Sequence, residues 1–205
     1  MTPKHAPLVR EILGRRDYAI IGDIVEPGSR VLDLGCGDGA LLAWLMKNKK
    51  VDARGVELDG ALVQQAIAKG ASVYQGDIAQ SLADYPDQAF DYVILTQTLQ
   101  QVENPLTILR DMLRVGRQMI VGFPNFAHWG VRTSLLFQGR APRTTLFPYE
   151  WHESPNIHVL TVRDFEALVE KERWKVPHRI FLAGQRKVNV FPSLRAEVAI
   201  YVVRR

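Results

Sequence analysis

Apolar positions along the first 123 residues come in short blocks that alternate between two periods. Arg30-Val31-Leu32-Asp33-Leu34 is a run of strand length, whereas Leu41, Leu42, Leu45 and Met46 recur at the spacing of one helix face, predicting a helix from Ala40 to Asn48. Ala53 to Leu58 predicts a second strand, followed by a helix from Ala61 to Lys69. A third strand, Ser72 to Gln75, stops at Gly76-Asp77. Phe90 to Leu95 is a fourth, and Asn104-Pro105 opens a helix to Val115, since proline suits the first helical turn. Gln118 to Phe123 is a fifth, cut by Pro124. Ahead of these, residues 7–25 have the pattern of a leading helix closed by Pro27-Gly28.

The alternation then breaks. Residues 124–160 hold four prolines, with only Trp129 to Phe137 looking helical. Thr161 to Arg173 is a further helix, capped by Thr161 and Asp164. Val176 to Ala183 and Ala196 to Val203 have the two-residue alternation of an antiparallel pair. Strands alternating with helices over short connections predict an α/β fold with helices on both faces of the sheet. Five such strands followed by an antiparallel hairpin are the arrangement of a Rossmann-like class I methyltransferase fold, with a mostly parallel seven-stranded sheet. At 205 residues the expectation is one domain over 1–205, with a lid or interaction insertion at about 124–160.

Composition narrows this little. The chain is 47% hydrophobic and 23% charged, as a soluble globular protein is. No apolar run approaches a membrane span, and the basic N-terminal stretch lacks the apolar core of a secretory signal. The one cysteine, Cys36, has no internal disulfide partner, so the chain reads as cytoplasmic. The net charge of +4 comes from scattered basic residues rather than a stripe, which argues against nucleic acid.

Gly35-x-Gly37-x-x-Ala40 matches the dinucleotide fingerprint, whose last position is Gly or Ala. The glycines serve any ligand that needs close backbone approach at a helix N-terminus. Charge separates the candidates. A nicotinamide dinucleotide brings an anionic pyrophosphate, whereas S-adenosylmethionine (SAM) brings a sulfonium and an ammonium. Asp33 and Asp38 suit the cation, although the bland alternatives are a loop tie for Asp33 and solvent for Asp38. Glu57, ending the second strand, is placed to accept from the ribose hydroxyls. Asp77 is placed for the adenine amine, with the Ile78 amide beside it and Leu58 against the ring. Thr96-Gln97-Thr98 ends the fourth strand near the expected sulfonium. The expected ligand set is therefore Asp33, Gly35, Cys36, Gly37, Glu57, Leu58, Asp77, Ile78, Thr96 and Gln97, for SAM or its demethylated product S-adenosylhomocysteine.

No acceptor chemistry is legible. Thr96-Gln97-Thr98-Leu99-Gln100-Gln101 stands where amino-methylases carry an Asn/Asp-Pro-Pro-aromatic turn, and no catalytic residue is assigned. Residues 123–158 hold seven of the eighteen aromatics and three of the five histidines. This segment, with Phe126, His128, Trp129, Tyr149, Trp151 and His152, follows the carboxyl end of the fifth strand and should overlie the ligand site. It reads as a lid, a docking face for another protein, or a local subcore. The histidine spacing fits no metal site, and none is expected.

Val31-Leu32-Asp33-Leu34-Gly35-Cys36-Gly37-Asp38-Gly39 is shared by many methyltransferases. Gln97-Thr98-Leu99-Gln100, Met112-Leu113-Arg114-Val115-Gly116-Arg117, Phe123-Pro124-Asn125-Phe126-Ala127-His128-Trp129 and Pro148-Tyr149-Glu150-Trp151-His152-Glu153-Ser154-Pro155-Asn156-Ile157-His158 are more specific. Together, from about Ile20 onward, they resemble the MetW family of bacterial methionine biosynthesis proteins. The resemblance implies a role in methionine synthesis as an accessory or activating partner of MetX, the homoserine O-acyltransferase. The alternative is an active SAM-dependent methyltransferase on a small molecule, with RNA methylation a distant third.

Overall fold

A computed structural model describes residues 18–144 and 146–205. Of the expected leading helix, residues 18–24 are helical (α1) and the remainder before 18 lies outside the described residues, as does the basic N-terminal stretch. The chain continues through β1 (Arg30–Leu34), α2 (Ala40–Lys49), β2 (Asp52–Glu57), α3 (Gly60–Ala68), β3 (Ser72–Gln75), α4 (Ile78–Ala83) and β4 (Phe90–Thr96). A 3-10 turn (Leu99–Gln101), α5 (Pro105–Val115), β5 (Gly116–Pro124) and α6 (Trp129–Gln138) follow. The chain closes with α7 (Val162–Lys171), β6 (Lys175–Ala183), β7 (Arg186–Lys187), α8 (Pro192–Arg195) and β8 (Val198–Arg204).

The sheet order is β3-β2-β1-β4-β5-β8-β6-β7. The first five strands are parallel, and β8 runs antiparallel between β5 and β6. The architecture matches the expected α/β class, with one difference: the sheet has eight strands, not seven. The extra strand is the two-residue β7, folded back on the end of β6 through a turn that uses Gly184 at φ 51°. The expected hairpin is accordingly not a tight one. β6 and β8 pair, but β7 and α8 lie between them in the chain.

Both faces of the sheet are buried, which explains why β1, β4 and β8 read as near-continuous apolar runs. Alternate residues feed opposite cores. Val93, Leu95, Phe123 and Tyr201 face Leu82 of α4, α5, and Phe165 of α7. Ile94, Ile120 and Ile200 face Ile21 of α1, Leu42 and Leu45 of α2, and Ala66 of α3. The sequence pattern did not reveal α4: it spans six residues, and of its side chains only Ser81 and Leu82 are buried.

The order in which strands are added reverses at β1, whose neighbours are β2 on one side and β4 on the other. In an open parallel sheet this switch point leaves a crevice at the carboxyl ends of the strands. Two loops meet there, the glycine-rich one after β1 and the glutamine-rich one after β4.

Candidate functional site

The loop Gly35–Gly39 is fixed by backbone chemistry. The N–H groups of Gly35 and Cys36 both donate to Val56 O, at 2.8 and 3.1 Å. Gly35 has φ 68°, and a Cβ there would lie 2.8 Å from Thr98 Oγ1, so only glycine lets the two loops approach. Gly37 N–H donates to Glu57 Oε2 at 2.8 Å. The same carboxylate accepts from Leu58 N and Asp59 N through Oε1, each at 3.0 Å. Glu57 is 6% exposed, so these bonds offset the desolvation of its charge. An ionised carboxylate has about four acceptor positions, which leaves one for a ligand hydroxyl.

Asp77 caps α4, its Oδ1 accepting from Ala79 N at 2.8 Å and Gln80 N at 3.2 Å. Asp59 caps α3 in the same way through Ala61 N and Leu62 N. Ile78 begins α4, where backbone N–H groups have no partner within the helix.

The second loop carries strain. Gln97, a non-glycine residue, sits at φ 58°. Its N–H donates to Gly122 O at 2.8 Å, and its carbonyl accepts from the side-chain amides of Gln100 (3.0 Å) and Gln101 (3.2 Å). Left-handed backbone in a side chain of this size costs energy and clusters at functional sites. The carbonyl of Gln100 in turn accepts from Ile157 N (2.9 Å) and His158 N (3.1 Å). His158 Nε2 lies 3.0 Å from Val102 O, so this nitrogen carries the proton. These bonds strap the segment after α6 onto the loop after β4.

Between the loops and the strap lies a cavity of about 510 Å³. Gly35, Glu57, Leu58, Asp77, Ile78 and Gln97 of the expected ligand set line it, and Tyr149 lines it from the strap. Its charged wall is one-sided: Glu57, Asp59, Asp77 and Glu103 line it, and no Arg, Lys or His does among the described residues. In a chain of net charge +4, that is a local reversal of sign.

The other expected ligand residues fall outside the wall. Asp33 is buried at 3% exposure beneath the loop. Cys36 is buried as well, with Sγ where a Cβ on Gly55 would approach to 2.6 Å. Gly37 acts through its N–H on Glu57, and the Thr96 carbonyl holds Thr98 Oγ1 at 3.0 Å. Asp38 pairs with Lys69, whose ammonium also donates to the Asp38 carbonyl at 3.0 Å.

The aromatic segment divides. Leu146, Tyr149, Pro155 and Asn156 overlie the cavity. Phe126 packs inward on Phe147, ring centroids 3.9 Å apart. His128 caps α6 by accepting from Gly130 N, and burial holds its imidazole below the usual value of 6.5. Trp129 and Trp151 point outward at 56% and 78% exposure, with His152 edge-on to Trp151. Sequence reasoning placed Thr98 at the site but missed the wall formed by Gln100, Gln101 and Asn156; the amides of Gln97, Gln100 and Gln101 were the available signal. Among the described residues no cluster of metal-ligating side chains occurs, and no helix is long and apolar enough to cross a membrane.

Comparison with known proteins gives the family and the fold. The family model described as methionine biosynthesis protein MetW matches residues 15–203. A bifunctional methionine biosynthesis protein, MetXA/MetW, from Rhodopirellula baltica is 34% identical over all of this chain, which spans 35% of that relative's length. Among solved structures, a SAM-dependent methyltransferase from Archaeoglobus fulgidus superposes with a TM-score of 0.67 at 16% identity, covering 97% of this chain and 93% of the other. One from Mesorhizobium loti gives 0.66 at 15% identity, covering 95% and 100%. These likenesses establish the class I methyltransferase fold.

Proposed function

The chain belongs to the MetW family of methionine biosynthesis proteins, and from that premise we propose that it binds SAM, or its demethylated product, and acts as an accessory partner of a homoserine O-acyltransferase. The observation that carries the ligand reading is the cavity's charge. Four carboxylates and no lining cation among the described residues disfavour a pyrophosphate and suit a ligand with a sulfonium and an ammonium. Glu57 accepts from a ribose hydroxyl at its remaining acceptor position. Asp77 and the Ile78 N–H receive the adenine edge, with Leu58, 69% exposed, covering the ring. SAM, when bound, supplies an electrophilic methyl group on a sulfonium. The protein's residues hold it against the backbone of Gly35 and Gln97 and cover it with Tyr149 and Asn156. The reading requires no metal and treats the whole chain as one cytoplasmic domain, with residues 124–160 as its cover.

The partner reading rests on the Rhodopirellula relative, whose name joins MetXA and MetW in one chain. Fusion keeps two parts at high effective concentration, which favours weak contacts between them. The outward Trp129 and Trp151 suit such a contact, since exposed aromatics anchor protein interfaces. A small-molecule methyltransferase is the second reading, favoured by the amides of Gln97, Gln101 and Asn156 along the cavity wall, which could recognise a polar acceptor.

The test is homoserine acylation by the acyltransferase of the same organism, with and without an equimolar amount of this protein. Stimulation supports the accessory role. No stimulation and no co-purification overturns it and leaves the methyltransferase reading, which predicts transfer of labelled methyl to a cell-extract component.

A further inference from the structure

Gln100 is 3% exposed and lines the cavity, yet its Oε1 has no hydrogen-bond partner among the described residues. Buried side-chain oxygens are nearly always paired, so an orphan in a residue that lines a cavity calls for an explanation. Which end of the amide is the oxygen is settled by the other end. Nε2 donates to Gln97 O at 3.0 Å, and a flipped amide would set two oxygens against each other. Oε1 is therefore the acceptor end, and its partner must be a donor. Among the described residues the cavity wall has no cationic side chain to supply one.

We propose that Gln100 Oε1 accepts a hydrogen bond from the amino group on the amino-acid end of the bound ligand, making Gln100 a specificity-determining residue of the cavity. The proposal rests on the adenosyl reading of the site. The sheet order gives the placement: Glu57 ends β2 and Asp77 follows β3, on one side of β1, whereas Gln100 follows β4 on the other. A ligand whose nucleoside occupies the first side presents its remaining part to the second. The last torsion of a glutamine side chain is soft, so a small rotation brings Oε1 to a donor. The strap does not depend on this side chain, because Ile157 and His158 bond the Gln100 backbone carbonyl.

The test is calorimetric binding of three probes to the full chain and to Gln100→Leu. The probes are SAM, decarboxylated SAM, which keeps the ammonium and lacks the carboxylate, and 5′-methylthioadenosine, which lacks both. Loss of a hydrogen bond to a charged donor predicts about a 10-fold or greater loss for the first two, with methylthioadenosine unchanged. Gln100→Met, which keeps the side-chain length, should repeat the pattern. Unchanged SAM affinity, or an equal loss for all three probes, overturns the assignment. If the wild-type chain binds none of them, the adenosyl reading itself fails and takes this assignment with it. If it binds all three and the variants do not discriminate, the failure belongs to Gln100 alone.

Discussion

The N–H of Gly37 donates to Glu57 Oε2 at 2.8 Å, so the carboxylate ending β2 latches the glycine loop that follows β1. One side chain thereby shapes the loop and offers a ligand acceptor. Replacing Glu57 by alanine removes the partner of three backbone N–H groups. The Gly37 bond is buried, and an orphaned buried donor costs about 1–3 kcal/mol. Thermal unfolding of Glu57→Ala should fall by ~3–8 °C, and calorimetric SAM affinity by at least ~10-fold. An unchanged melting temperature would remove the latch, and unchanged affinity would remove Glu57 from the site.

Gly39 starts α2 at φ 71°, and a Cβ there would lie 2.6 Å from Ala66 Cβ and 2.9 Å from Ala66 Cα on α3. Gly39→Ala should therefore destabilise by more than ~1 kcal/mol, combining an unfavourable backbone with a clash that a flexible side chain cannot relieve. The denaturant midpoint checks this. An alanine tolerated without loss would mean that the two helices part easily.

Asn125 is fully buried after β5 and spends its amide on four backbone groups. Nδ2 donates to Ser193 O and Ala196 O, and Oδ1 accepts from Ala127 N and Val162 N. Asn125→Ala should lose ~3 kcal/mol or more, because both carbonyls and both N–H groups lose their partner. Asn125→Asp should fare no better, since it sets a carboxylate against two carbonyl oxygens. Differential scanning calorimetry separates this structural role from a binding role, which would leave stability unchanged.

His128 gives the protein an acid-sensitive helix cap. Burial lowers its pKa from 6.5, a shift that the Glu197 charge opposes. A base whose folded pKa is depressed takes up its proton more readily when unfolded. Stability is therefore unaffected by this group well above 6.5 and declines as pH falls through and below that value. Protonation also removes the lone pair that accepts from Gly130 N at 3.2 Å. His128→Asn keeps a capping acceptor and should show a flatter loss of stability between about pH 7 and 5. An identical pH profile would contradict the cap.

Most of the fold was legible because its determinants are local. Apolar runs, the Pro105 helix start and the Thr161–Asp164 capping box all lie within a few residues of the element they define. What escaped depends on partners far along the chain. Cys36 belongs to the glycine motif by position, but its side chain turns away from the cavity, towards Gly55. Gln100 is joined to residues 57 and 58 positions later, Ile157 and His158, and no local pattern signals such a bond. The aromatic segment was read as a unit, whereas tertiary packing sends Tyr149 to the cavity and Trp151 to the surface.

The central claim is that the acidic cavity at the switch point holds an adenosyl cation rather than a dinucleotide. Titrating the full chain with SAM and, separately, with NAD in a calorimeter tests it most directly. The expected result is saturable binding of one SAM per chain, weakened in Glu57→Ala, and no binding of NAD. Binding of NAD, or a chain indifferent to SAM at millimolar concentration, would contradict it.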